Sequence, residues 1–135
     1  MQRPPVVLRL VPGPTASARA KRTDPLAQAA VSLMSGDLAH PWTVSALAKK
    51  LAVSRPVLAR RFREAVGVSP MRWLSARRME RAAELVRVLD QPLVHVAELV
   101  GYCSEFAFNR AFKRHHGVAP GSFRRAQFTM FRAAA

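Results

Sequence analysis

The chain has 135 residues, 22 Lys and Arg against 8 Asp and Glu, a formal charge of +14, and an apolar half. That length leaves no room for separate cofactor and substrate lobes, and a basic chain able to build a core points to nucleic acid. A single cysteine, Cys103, excludes an internal disulfide and a multi-cysteine zinc site, and no apolar run is long enough to span a bilayer or act as a signal peptide, so a cytoplasmic chain without membrane contact is expected.

In chain order, residues 1–23 hold four prolines and five basic residues with no acid, which predicts a flexible basic arm. Within it, Val6 to Val11 has strand character but no partner strand. Thr23-Asp24-Pro25 then reads as a cap followed by proline at the first helical position. Gly36 closes the apolar run of Leu26, Ala29, Ala30 and Leu33, giving a first helix. After the Pro41-Trp42 break, Thr43 caps a short helix with Val44, Leu47, Ala48 and Leu51 on one face. Ser54 caps another, carrying Leu58, Phe62 and Val66. Helix, tight turn, helix over about 43–67 is helix-turn-helix spacing.

Ser69-Pro70 opens the longest periodic stretch, 70–89, with Trp73, Leu74, Met79, Ala82, Ala83, Leu85, Val86 and Leu89 as its apolar side. As a helix it makes a rod of about 30 Å. Beyond Pro92, Val94, Val96, Ala97 and Val100 mark a short helix, and Ser104 caps a helix with Phe108, Ala111 and Phe112 inward. This second unit covers about 93–117, followed by a closing helix over about 120–127 and a tail, 128–135.

The second unit repeats the first. A shift of fifty residues superimposes Ser54 on Ser104, Arg60 on Arg110, Phe62 on Phe112, Gly67 on Gly117, Val68 on Val118 and Pro70 on Pro120. The helices before the turns align at forty-nine, so the second turn holds one extra residue. Charge follows the same segmentation: 49–87 and 110–135 are basic, whereas 24–48 and 88–109 are mildly acidic. Surface helices ordinarily mix both signs, so blocks of one sign favour phosphate contact. Two recognition helices separated by a 30 Å rod match successive major-groove segments, about 34 Å apart on B-DNA.

The stretches WTVSALAKKLAVSRPVLARRFREAVGVSPMRWLSARRMERAAELV and GYCSEFAFNRAFKRHHGVAPGSFRR resemble the DNA-binding domain of the AraC/XylS family of bacterial transcription regulators. The resemblance covers about 25–126. It implies an all-α fold: two helix-turn-helix subdomains, homeodomain-like, joined by a long linker helix within a domain of 24–126. Cys103 departs from the polar or acidic residue usual at its turn position. Most members also carry an effector-binding or dimerisation domain, and the resemblance does not extend to small-molecule sensing. The expected activity is sequence-specific duplex DNA binding that regulates transcription, without catalysis or cofactor. RNA polymerase is a second expected partner if the chain is an activator, and a monomer is expected on DNA.

Helical geometry selects the base readers. With Leu58 and Phe62 inward, Arg55, Pro56, Ala59 and Arg60 face out on the first recognition helix. Glu105, Phe106, Asn109 and Arg110 do so on the second. Arg60 and Arg110 suit guanine O6 and N7, Asn109 suits adenine, and Glu105 either accepts from cytosine or stabilises the helix N-terminus. Phe106 suits a thymine methyl or a sugar. Lys49, Lys50, Arg63, Lys113, Arg114 and Arg124 are the expected phosphate contacts. His95, His115 and His116 lack ligand partners at metal spacing and read as surface groups near DNA. Trp42, Trp73, Tyr102, Met71 and Met79 read as core. The alternatives are a weakly specific architectural DNA-binding protein or an interaction module of a larger regulator.

Overall fold

Seven α-helices follow one another among the described residues: α1 (Pro25–Gly36), α2 (Val44–Leu51), α3 (Arg55–Val66), α4 (Pro70–Val88), α5 (Leu93–Leu99), α6 (Glu105–His116) and α7 (Pro120–Ala134). They come from a computed structural model that describes residues 24–88 and 90–134, with side chains to residue 130 apart from Leu89. The basic arm, its 6–11 segment, the Thr23 cap and the end of the rod at Leu89 lie outside the described residues. Two units result, 24–33 with 44–70 and 34–43 with 71–134.

In the first unit α2 packs on α3, and Ala27, Ala30, Leu47, Ala48, Leu58, Phe62 and Ala65 are buried. The first helix turns Ala27 and Ala30 inward, whereas Leu26, Ala29 and Leu33 are half-buried, which corrects the expected face. Residues 25–36 carry no charge, so hydrophobic periodicity had little contrast with which to select a side. Asp24 starts this helix. Its Oδ1 accepts from the Leu26 N–H at 2.8 Å, satisfying a donor that the first turn leaves open. The same carboxylate takes a two-pronged contact from Arg61 on α3, Nη2 to Oδ1 at 2.6 Å and Nε to Oδ2 at 3.0 Å. One acid thus both caps α1 and ties it to the recognition helix.

The second unit is built on α4, which supplies Met79, Ala82, Ala83, Leu85 and Val86 to a core completed by Val96, Ala97, Val100, Phe108, Ala111 and Phe112. The expected rod is therefore largely a core element of this unit. Ring centroids of Tyr102 and Phe108, Phe108 and Phe112, and Phe112 and Phe123 lie 5.9, 5.8 and 5.4 Å apart, within the range of favourable aromatic pairs. Leu93 packs against this core, while Val94 is 43% exposed, against expectation. At the forty-nine-residue offset Leu93 is the equivalent of Val44, and the short helix offered two adjacent apolar residues to choose between. Trp42 and Met79 are buried as expected, but Trp73, Tyr102 and Met71 are only half-buried. The closing helix continues to Ala134 rather than stopping near 127; residues 122–134 contain neither glycine nor proline to stop it.

Arg78, on α4, donates from Nε to the Leu38 carbonyl and from Nη2 to the His40 carbonyl, each at 2.8 Å. Burial pushes its pKa down from the ordinary arginine value. Gly101 sits directly against it: a Cβ there would lie 2.9 Å from Arg78 Cζ and 3.0 Å from the Ala39 Cα, and the backbone has φ +96°. The equivalent turn residue of the first unit is Ala52, at φ +58°. Both follow a helix stop closed by the same bond, Val53 N–H to Ala48 O at 3.0 Å and Tyr102 N–H to Ala97 O at 2.9 Å.

Opposite substitutions at these two positions should shift stability in opposite directions. Gly101→Ala is expected to cost about 2 kcal/mol or more, from backbone strain plus contact with Arg78 and Ala39. Ala52→Gly is expected to gain about 0.5 kcal/mol, since relief of the left-handed conformation slightly exceeds the entropy that glycine loses. Chemical denaturation measures both.

A pH effect follows from Asp24. The Arg61 hydrogen bonds, with help from the Leu26 and Ala27 N–H groups, hold its pKa below the usual carboxylate value. A depressed folded-state pKa contributes stability that is complete above about pH 4 and disappears as pH falls through the lowered value. Asp24→Asn keeps a capping oxygen but loses the charge, so its stability should fall less than that of the parent between pH 5 and pH 2. Parallel slopes in thermal melts across this window would refute the assignment.

Candidate nucleic-acid interface

Two helices are built alike. α3 and α6 each have 12 residues and begin at a serine whose Oγ accepts from the backbone three residues on, Val57 N–H at 3.3 Å and Ala107 N–H at 3.1 Å. Each ends at a left-handed glycine whose N–H returns 2.8 Å to the carbonyl of Arg63 or Lys113. Leu58 and Phe62 in one, Phe108 and Phe112 in the other, are fully buried. With rotation fixed by these pairs, Arg55, Pro56, Arg60 and Arg63 are exposed on α3, and Glu105, Phe106, Arg110, Lys113 and Arg114 on α6. Lys49 and Lys50 are exposed at the last turn of α2.

The basic block 49–87 does less uniform work than its charge suggests. Arg61 is held by Asp24 and Arg78 by carbonyls. On α4, Arg77 pairs with Glu80, and Arg81 with Glu84 at 2.8 Å. Arg87 lies over the Phe123 ring, 5.5 Å from its centroid. Arg55 reaches Ser45 Oγ only at 3.5 Å. Arg60 lies 3.7 Å from Glu64, one turn on, whereas Arg110 lies over the ring of Phe106, 5.7 Å from its centroid. Phe106 itself is 70% exposed.

Four expected positions differ. Ala59 and its equivalent Asn109 are half-buried rather than outward, because they lie beside the inward pair on the helix circumference. Asn109 Oδ1 is buried and has no hydrogen-bond partner among the described residues, so in this arrangement it is withheld from the N6 amino group of an adenine. Arg124 is half-buried and donates from Nε to the Val86 carbonyl at 3.3 Å, serving the C-terminal turn of α4. His116 is also half-buried: its Nε2 meets the Met79 carbonyl at 2.9 Å and its ring lies 4.3 Å from that of Phe112. Among the described residues no cluster of His, Cys, Asp or Glu gathers as a metal site, and no helix is long and apolar enough to cross a membrane.

Residues 47–126 match the family model of a helix-turn-helix domain. The C-terminal domain of AraT, a response regulator from Geobacillus stearothermophilus, superposes with a TM-score of 0.74 at 33% identity, covering 76% of this chain and 85% of that one. The chain belongs to the AraC/XylS family of helix-turn-helix DNA-binding domains. The DNA-binding domain of AdpA, solved with a target DNA, gives a TM-score of 0.71 at 32% identity over 76% of this chain and 91% of that one. An AraC-like transcription regulator of Streptomyces antibioticus is 43% identical over 102 residues, 76% of this chain and 34% of that protein. The chain thus spans about a third of the length of the curated relatives it matches.

As an AraC/XylS domain the chain has the all-α tandem arrangement that its repeat implies. What the repeat does not reveal is the set of arginines committed to the scaffold. Arg61 and Arg78 belong to periodic basic sequence like the others, and their partners lie 37 and 38–40 residues away. The available signals were the capping acid Asp24, with no other charge until Asp37, and the glycine at 101.

Asn109→Ala copies the equivalent residue of the first unit into this AraC/XylS domain. It removes an unpartnered buried acceptor and raises helix propensity, so unfolding should require about 1 kcal/mol more. A loss of stability in denaturant titration would show instead that the amide is bonded in the folded protein.

Proposed function

We propose that residues 24–126 bind duplex DNA sequence-dependently and regulate transcription, with no catalytic step. The observation that carries this reading is the equivalence of α3 and α6. Each is capped and buried in the same way and presents an exposed arginine, Arg60 or Arg110, at the same helical position. A guanidinium there suits guanine through O6 and N7, with Arg55 on the same outward face of α3, while the exposed Lys49, Lys50, Arg63, Lys113 and Arg114 supply phosphate contacts. That AdpA's DNA-binding domain was solved on a target DNA supports the same use here. Pro56 and Ala59 offer no side-chain hydrogen bond to a base edge, and Glu105 remains a candidate for a cytosine amino group at the start of α6.

One chain carries both recognition helices, which supports binding as a monomer. In sequence they are separated by α4 and α5. Two recognition helices in one chain suit successive major-groove segments of a duplex. RNA polymerase is the further partner if the outcome is activation.

Two measurements test the proposal. With five phosphate contacts, log K against log salt should have a slope of about −4.5; a slope shallower than about −2 would assign the charge to something other than duplex DNA. On a site selected from random duplexes, Arg60→Ala and Arg110→Ala should each cost about 1–3 kcal/mol and relax preference at one or two base pairs, while Lys49→Ala and Lys113→Ala should weaken all duplexes alike. Unchanged base preference in both arginine variants would make them phosphate clamps and leave a weakly specific architectural protein.

A further inference from the structure

The two equivalent arginines are held in opposite directions along their helices. Arg60 is drawn toward the C-terminal end of α3 by Glu64, 3.7 Å away. At the fifty-residue offset the place of Glu64 is taken by Arg114, a like charge, and the place of Pro56 by Phe106. Arg110 accordingly lies back toward the N-terminal end of α6, with Cζ 5.7 Å from the Phe106 centroid, a cation–π distance at i, i+4 spacing. Base edges are read from the N-terminal residues of a recognition helix. Folding does not account for Phe106, since the residue is 70% exposed while Phe108 and Phe112 fill the core.

We propose that Phe106 is a positioning residue that holds the Arg110 guanidinium at the base-reading end of α6, making the second unit the more discriminating of the two. Arg60 leans away from that end of its own helix toward Glu64, whereas Arg110 is already oriented. A planar guanidinium on a ring loses less rotamer freedom on forming its paired bonds to guanine. The inference rests on the reading of Arg110 as a base contact.

The experiment compares dissociation constants on the selected duplex and on its single-base-pair variants for the parent chain, Phe106→Leu, Phe106→Tyr, Arg110→Ala, Arg60→Ala and the Phe106→Leu/Arg110→Ala double. Helical content by circular dichroism accompanies each. Phe106→Leu should reduce discrimination about two- to fivefold, the size of an exposed cation–π contact, at the base pair that Arg110→Ala affects. It should have no further effect there in the double variant, and Phe106→Tyr should retain the preference. Arg110→Ala should relax preference more than Arg60→Ala. A change at a different base pair, additive with Arg110→Ala, would make Phe106 a direct base contact and overturn the proposal, as would intact discrimination in folded Phe106→Leu. If Arg110→Ala itself leaves every preference intact, the base-contact reading fails and the positioning role falls with it. That outcome is distinguishable because it appears without any change at Phe106.

Discussion

Everything outward on the two recognition helices depends on a pair of inward side chains four residues apart. Leu58 and Phe62, or Phe108 and Phe112, lie one above the other on a single face and are fully buried. Rotating either helix by one residue, about 100°, would expose two large apolar groups and drive a charged side chain into the core. That cost is far larger than any surface contact could offset. Serine at one end and left-handed glycine at the other then fix where each helix begins and stops. The positions of Arg60 and Arg110 follow from packing and not from any contact they make themselves.

The same logic divides the charge. A chain with 22 basic residues could present them all to solvent, yet several are spent inside the protein. Arg61 fixes α1 through Asp24, and Arg78 donates to the Leu38 and His40 carbonyls, the second of which also accepts from the Trp42 N–H. Arg77 and Arg81 are balanced by acids three residues on, an arrangement ordinary for a solvated helix face. Among the described residues, the exposed cations Lys49, Lys50, Arg55, Arg63, Lys113 and Arg114 on α2, α3 and α6 form no ion pair with an acid. Net charge therefore overstates the number of cations left without a partner inside the protein.

Local patterns made much of this legible in advance. The fifty-residue repeat located both recognition helices, their serine caps, their closing glycines and their buried aromatic positions, because each is set by residues within one or two turns. Less legible were features set by distant chain. His116 and Arg124 look like solvent groups until the Met79 and Val86 carbonyls of α4 are brought beside them. Asn109 follows the outward pattern of its neighbours, but its circumferential position beside Phe108 and Phe112 turns the amide oxygen inward. Val94 and Leu93 could not be ranked by periodicity in a seven-residue helix, and only the register with the first unit separates them.

The extra residue of the second turn shows which parts of the motif tolerate change. Before it, the helix stop is the same in both units, closed by Val53 N–H to Ala48 O or Tyr102 N–H to Ala97 O. After it, the serine cap is the same, from Ser54 or Ser104. The added residue is Cys103, exposed and placed between these two fixed points. An insertion there lengthens a loop without moving either hydrogen-bonded boundary, whereas one inside a helix would turn every later side chain by about 100°. It explains why the offset is forty-nine on one side of the turn and fifty on the other. The motif is held by its helix ends and buried pairs, and the turn needs only to be long enough to connect them.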